Sequence, residues 1–128
     1  MDNSVVREYY QIIKNKISQG DFTSALGSIN KLLRNFPRNE WGYYYKGICE
    51  FALEDYENAI KDYKTAIKLK PLFAKAYFNL GICYHTLEYY DFALIALGRA
   101  LVIFARKRDA QARQRCIDAL QKIERDRQ

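Results

Sequence analysis

At 128 residues the chain is sized for one domain, and 49% apolar with 28% charged residues lets it bury a core while keeping a wetted surface. Six glycines and two prolines are too few turn-formers for a many-stranded β fold, and three cysteines, an odd number, argue against a secreted disulfide framework. The net charge of +6 favours acidic partners: an acidic peptide, an anionic membrane surface or nucleic acid.

In chain order the pattern reads as helices in pairs. A first pair turns at Gly20-Asp21 and ends before Pro37; a second turns at Glu54-Asp55 and ends before Pro71. Proline disfavours helix in the residue preceding it, so it closes the second helix of each pair. A third pair turns at Glu88-Tyr89-Tyr90, and one amphipathic helix follows from about Asp109 to Arg125. Along that last helix Ala112, Cys116, Ala119 or Leu120, and Ile123 keep helical spacing.

The pairs repeat. Ala25, Ala59 and Ala93 stand 34 residues apart, as do Phe22, Tyr56 and Tyr90, and Tyr9, Tyr43 and Tyr77. Leu32, Ala66 and Ala100 keep the same step, as do Pro37 with Pro71, Gly47 with Gly81, and Cys49 with Cys83. One period holding in seven registers marks a repeat architecture. Small residues at Gly47, Gly81, Ala59, Ala66, Ala93 and Ala100 let paired helices approach, where a larger side chain would push the axes apart. The eleven tyrosines fill the remaining wedges and keep a hydroxyl for water or a carbonyl.

In these residues the chain resembles the tetratricopeptide repeat family, whose pattern is an aromatic, Leu-Gly, Tyr, a first Ala, a large apolar residue, a second Ala and Pro. The third unit follows it with Tyr77, Leu80-Gly81, Tyr84, Ala93, Leu97 and Ala100, and has Ala105 where Pro is expected. The second keeps Tyr43, Gly47, Ala59, Tyr63, Ala66 and Pro71, with Lys46 and Glu50 replacing Leu and Tyr. The first keeps Tyr9, Ile12, Ala25, Ile29 and Pro37 and departs at Ile13, Lys16 and Leu32, which predicts looser packing between its helices. The resemblance implies an all-α fold, a right-handed superhelical α-solenoid of antiparallel helix pairs. It is read here as a single domain with repeats at about 6–39, 40–73 and 74–107 and a capping helix at about 108–126. A solenoid end needs such a polar-backed cap.

The resemblance further implies a non-enzymatic protein-protein interaction module, an adaptor, scaffold or assembly chaperone that binds a partner peptide or helix in a concave groove. Carried over position by position, the groove residues are Tyr10, Lys14, Trp41, Tyr44, Tyr45, Ile48, Phe51, Lys75, Phe78, Asn79 and Ile82, with Arg7 and His85 among the further groove-facing positions and Arg113 from the cap. This lining is aromatic at its centre and basic toward its edges, suiting a protein or peptide with apolar and acidic groups. The competing reading is that Tyr44, Tyr45, Ile48 and Phe78 only pack against neighbouring helices. Some family members grip a chaperone's C-terminal carboxylate with two Lys, two Asn and an Arg. The equivalent residues here are Tyr10, Lys14, Tyr45, Lys75 and Asn79, of which Lys75 alone matches, so that clamp is not expected.

The second helix of the third unit carries Phe92, Ile95, Ala96, Val102 and Phe104 where the second unit has Asn58, Lys61, Asp62, Lys68 and Lys70. Either the cap covers this apolar excess, or Phe92, Ile95 and Val102 form a self-association face that makes a homodimer. From Arg106 to Gln128 eight Lys/Arg face four acids, so a nucleic-acid- or ribosome-associated factor is the alternative function, with Arg106, Lys107 and Arg108 at its contact. No glycine-rich phosphate loop, nucleophile elbow or metal-ligand cluster is present, so no catalysis, cofactor or metal is expected. The cysteines are expected to act as small buried apolar residues. The N-terminal residues lack a signal-peptide pattern, and the longest apolar stretch, Phe92 to Ala105, is interrupted by Gly98 and Arg99; the expected location is cytoplasmic.

Overall fold

The computed structural model describes residues 3–128 as seven α-helices, with no strand among the described residues. They are α1 (Ser4–Ser18), α2 (Phe22–Asn35), α3 (Glu40–Ala52), α4 (Tyr56–Leu69), α5 (Ala74–Thr86), α6 (Tyr90–Arg106) and α7 (Ala110–Asp126). The turns fall where the 34-residue period places them. The chain divides into two compact units, one running through Leu69 and one spanning Lys70–Gln128.

Short polar residues start several helices. The side chain of Asp21 accepts the amide of Ser24 at 3.2 Å, Asn39 that of Gly42 at 2.7 Å, and Asp109 that of Ala112 at 3.1 Å, satisfying donors that an α-helix leaves open at its N-terminus. The first helix of each pair ends on one device. Gly20, Glu54 and Glu88 adopt positive φ (76°, 63° and 63°), and the amides of Asp21, Asp55 and Tyr89 reach back to Lys16, Glu50 and Tyr84. Arg108 repeats it between α6 and α7. This left-handed stop closes the last open carbonyls and suits glycine, yet only the first of these positions has one.

In the first unit the core gathers Ile13, Ala25, Ile29, Leu32, Tyr45 and Cys49, with Ala59, Tyr63 and Ala66 buried on α4. Ile13 and Leu32, where the first repeat departs from the pattern, are fully buried. The third departure, Lys16, lays its stem across α2 and donates to Ser28 Oγ at 2.8 Å. The looser packing expected there shows as fewer close backbone approaches between α1 and α2 than between α3 and α4.

In the second unit α5, α6 and α7 share two clusters. One holds Ala74, Ala100, Ile103 and Phe104 with Ala112 and Cys116; the other holds Ala93, Leu97 and Ile123. The seventh helix thus covers the end of the third pair with the apolar stripe read from its spacing. It does not cover all of α6. Phe104 is buried with α7 residues and Ala96 is buried, but Phe92, Ile95 and Val102 stay exposed. The expectation that the cap hides this excess therefore fails for those three, because α7 packs on the opposite stripe of α6.

Close approach within the second and third pairs rests on glycine, where the first pair has the buried Ile13. A Cβ on Gly47 would stand 2.6 Å from the Tyr63 ring, and one on Gly81 would stand 2.6 Å from Leu97 Cγ.

Candidate functional site

The start of α3 is tied to α1 through one residue. Asn39 caps α3 with its side-chain oxygen and donates its Nδ2 to the Tyr10 hydroxyl at 2.7 Å. That pair of bonds fixes Tyr10 beside the first turn of α3, where Trp41 projects. Trp41 stands edge-on to Tyr44 at 5.4 Å between centroids, and both rings meet Tyr45, at 5.9 and 5.6 Å. Tyr10 reaches Tyr45 at 6.0 Å, and Tyr44 reaches Tyr63 at 6.1 Å. Tilted and edge-to-face rings at these spacings attract beyond their buried area.

Tyr45 is only 7% exposed, so it is the floor of this cluster, whereas Tyr10, Trp41, Tyr44 and Ile48 are half-buried and offer surface. Burial first, then the neighbouring phenols of Tyr44 and Tyr10, push the Tyr45 hydroxyl up to about 12. Burial also raises Tyr10, against the lowering effect of its bond from Asn39. Lys14 is exposed one turn along α1, and Phe51 packs edge-on against Tyr56 at 5.3 Å at the far end of α3.

Beside the aromatic cluster lies an open cavity of about 650 Å³. Tyr10 and Trp41 wall it, Phe36 and Asn39 close it from the turn between α2 and α3, and Arg7 and Arg38 stand exposed at its rim. Arg38 was not among the expected groove residues, because it sits in the turn outside the first helices. Its signal in the sequence is adjacency to Pro37, which ends α2 and turns the chain toward α3.

A second group went unforeseen in the same unit. Glu50 of α3 and Asp62 of α4 are both buried, at 8% and 6% exposure, and Lys46 reaches Asp62 at 3.8 Å. Glu50 Oε1 is buried with no hydrogen-bond partner among the described residues. Burial, then the hydrogen bond and charge of Asp62, push the Glu50 carboxyl up to about 8, against the pull of Lys46. The departures from the repeat pattern at Lys46 and Glu50 were visible; their convergence on Asp62 needed the helix pairing.

In the second unit Phe78 packs into both core clusters and lies under the guanidinium of Arg115, 5.8 Å from its ring. It is part of the α5–α7 contact. Asn79 and Ile82 are half-buried, while Lys75 on α5 and Arg113 on α7 are exposed. His85 Nε2 lies 2.7 Å from Asp126 of α7, and that contact, together with Lys122, holds the Asp126 carboxyl below its ordinary range. Cys49, Cys83 and Cys116 are free and buried, with thiols raised to about 12, 12 and 11 chiefly by burial, which makes them poor nucleophiles. No helix among the described residues is long and apolar enough to cross a membrane.

Family models agree with the internal period: one for the TPR repeat matches residues 50–87, and one for the tetratricopeptide repeat matches residues 74–103. A TPR repeat-containing protein of Methanocaldococcus jannaschii is 36% identical over 84 residues, covering 66% of this chain. The chain spans 14% of that relative's length. Among solved structures, the TPR2B domain of yeast Sti1 in its pHsp70 complex superposes with a TM-score of 0.88 at 20% identity, over 94% of this chain and 96% of that one. The Yersinia enterocolitica type III secretion chaperone SycD, in complex with a peptide of the translocator YopD, gives 0.89 at 17% identity over 99% and 98%. A type III secretion complex from Aeromonas hydrophila gives 0.91 at 17% identity over 98% and 85%. At these identities the likeness establishes the fold, an all-α helical repeat of the solenoid class.

Proposed function

We propose that this chain, a member of the tetratricopeptide repeat family, is a non-enzymatic interaction module that holds a segment of a partner protein against the aromatic face of α1 and α3. The observation that carries this reading is the cavity walled by Tyr10 and Trp41 and rimmed by Arg7 and Arg38. Half-buried aromatic walls accept an apolar side chain, and the two guanidiniums present forked donors to a carboxylate beside it. Tyr, Trp and Arg are also the residue types that most often carry interface energy. The partner segment is therefore one with an apolar anchor next to an acidic group. Peptide complexes among structures of the same fold support this use of it. An adaptor, a scaffold or an assembly chaperone would each work this way.

The test is capture from native extract, identified by mass spectrometry, with wild type compared to Trp41→Ala and to Arg7→Glu with Arg38→Glu. The charge pair is exposed, so its replacement leaves packing and helicity in place. Partners held by wild type should be lost from both variants. Undiminished capture by the charge-reversed chain would remove the proposal.

A further inference from the structure

The third helix pair carries a surface that the first two do without. Phe92, Ile95, Gly98 and Val102 on α6 correspond, at the 34-residue period, to Asn58, Lys61, Lys64 and Lys68 on α4, and to Ser24, Gly27, Asn30 and Arg34 on α2. Two pairs of the same chain fold with polar or small residues at these positions. The fold therefore does not require apolar ones, and on α6 they remain exposed: Ile95 at 56% and Val102 at 48%, beside Leu72 at 61%. Large apolar side chains exposed together mark an interaction surface more often than scattered ones do.

We infer that this face docks an acidic amphipathic helix of another protein. Leu72, Tyr77, Ile95, Gly98, Arg99 and Val102 line an open groove of about 420 Å³. Ile95 and Val102 are seven residues apart, roughly 10 Å along the helix. Gly98 lies between them, and a Cβ there would meet nothing within 4 Å. The result is a notch between two apolar ridges, the shape into which a side-chain ridge of a crossing helix fits.

Arg99 supplies the charge preference. Among the described residues it is the only charged side chain lining the groove, and its guanidinium lies over the Tyr77 ring, 5.9 Å from the centroid. Stacking holds the planar fork at the groove edge, where a carboxylate of the incoming helix can meet it. A second copy of this chain fits less well. A twofold contact across the notch would bring two Arg99 guanidiniums together with no acid lining the groove to separate them. The segment Lys70–Gln128 adds to that repulsion, with eleven Lys/Arg against six Asp/Glu. This surface is independent of the site at Tyr10 and Trp41.

The experiment is selection from a phage-displayed library of helical peptides on the full chain, after subtraction against Ile95→Lys with Val102→Lys. Those lysines are what the second repeat carries at the same positions. Enriched peptides should be amphipathic and acidic. Their affinity by fluorescence anisotropy should fall roughly tenfold or more in the double-lysine variant, and Arg99→Glu should shift preference toward basic peptides. Trp41→Ala should leave this binding unchanged, which separates it from the function proposed above. Circular dichroism checks that the variants keep wild-type helicity. Peptides that are not acidic, or that bind the double-lysine variant equally, would overturn the inference. So would sedimentation velocity showing a dimer that the double-lysine variant dissociates, since the occupant would then be a second copy.

Discussion

The α3–α4 and α5–α6 pairs share a pattern and differ in what they enclose. Where the later pair has Leu80, Tyr84 and Ala96, the earlier one has Lys46, Glu50 and Asp62 at the same repeat positions. The first set is apolar or aromatic; the second is a buried carboxyl pair with one lysine reaching it. Both pairs nonetheless form, and both put a glycine where the helices come closest. The comparison teaches that helix approach is set by the missing side chain, while the neighbouring positions tolerate either an apolar or an ionic filling. The ionic filling carries a cost, because buried charge loses its hydration and Glu50 Oε1 has no hydrogen-bond partner among the described residues.

The largest effect should come from removing what the pairs share. Gly47→Ala forces a methyl against the Tyr63 ring, which is rigid and 2% exposed, and should destabilise by about 2–3 kcal/mol. Gly81→Ala meets the branched end of Leu97, which can repack in part, and should cost about 1–2 kcal/mol. Urea unfolding of the two variants checks the order. An equal or larger loss at Gly81 would mean that ring rigidity is not what separates the pairs.

What the pairs do not share should appear as pH dependence. The folded chain raises the Glu50 carboxyl to about 8, above its value in the unfolded chain, through burial and the facing Asp62, with Asp55 adding to the rise and Lys46 opposing it. Between the ordinary glutamate range and that raised value, the native state keeps a proton that the unfolded state has released. Stability therefore falls as pH rises through this window, by at most about 1.4 kcal/mol per unit. Glu50→Gln should flatten the slope, matching wild type near pH ~5 and exceeding it near pH ~8. Parallel unfolding profiles for the two chains would show that Glu50 does not titrate differently on folding.

The smallest effect concerns the turn inside each pair. Gly20 meets the left-handed position without strain, whereas Glu54 and Glu88 hold it against their Cβ. Glu54→Gly and Glu88→Gly should each stabilise by about 0.5 kcal/mol, the relief of strain being partly offset by glycine's unfolded-state entropy. Thermal melts that move down in both variants would contradict this.

Much of the fold was legible because a 34-residue period is a one-dimensional property. The alanines, the paired glycines and the prolines at Pro37 and Pro71 record helix faces and ends through spacing alone, and the stripe at Ala112, Cys116 and Ile123 identified the last helix as a cover. The candidate site was legible only in part. Trp41, Tyr44 and Tyr10 were found by position within the repeat, but that rule could not tell that Tyr45 would be the floor or that Phe78 would sit under Arg115. Nor could it bring in Arg38, which belongs to a turn, or pair His85 with Asp126 across 41 residues.

The sequence by itself determined that this protein is an array of helix pairs, since local periodicity selects helices and small residues at one spacing select their partners. Only the tertiary structure decided which side chains are spent on packing and which are left exposed. Burial depends on what arrives from another helix. So Glu50 and Asp62 became an enclosed carboxyl pair that Lys46 reaches, while Ile95 and Val102, apolar residues that a core would have accepted, were left facing outward.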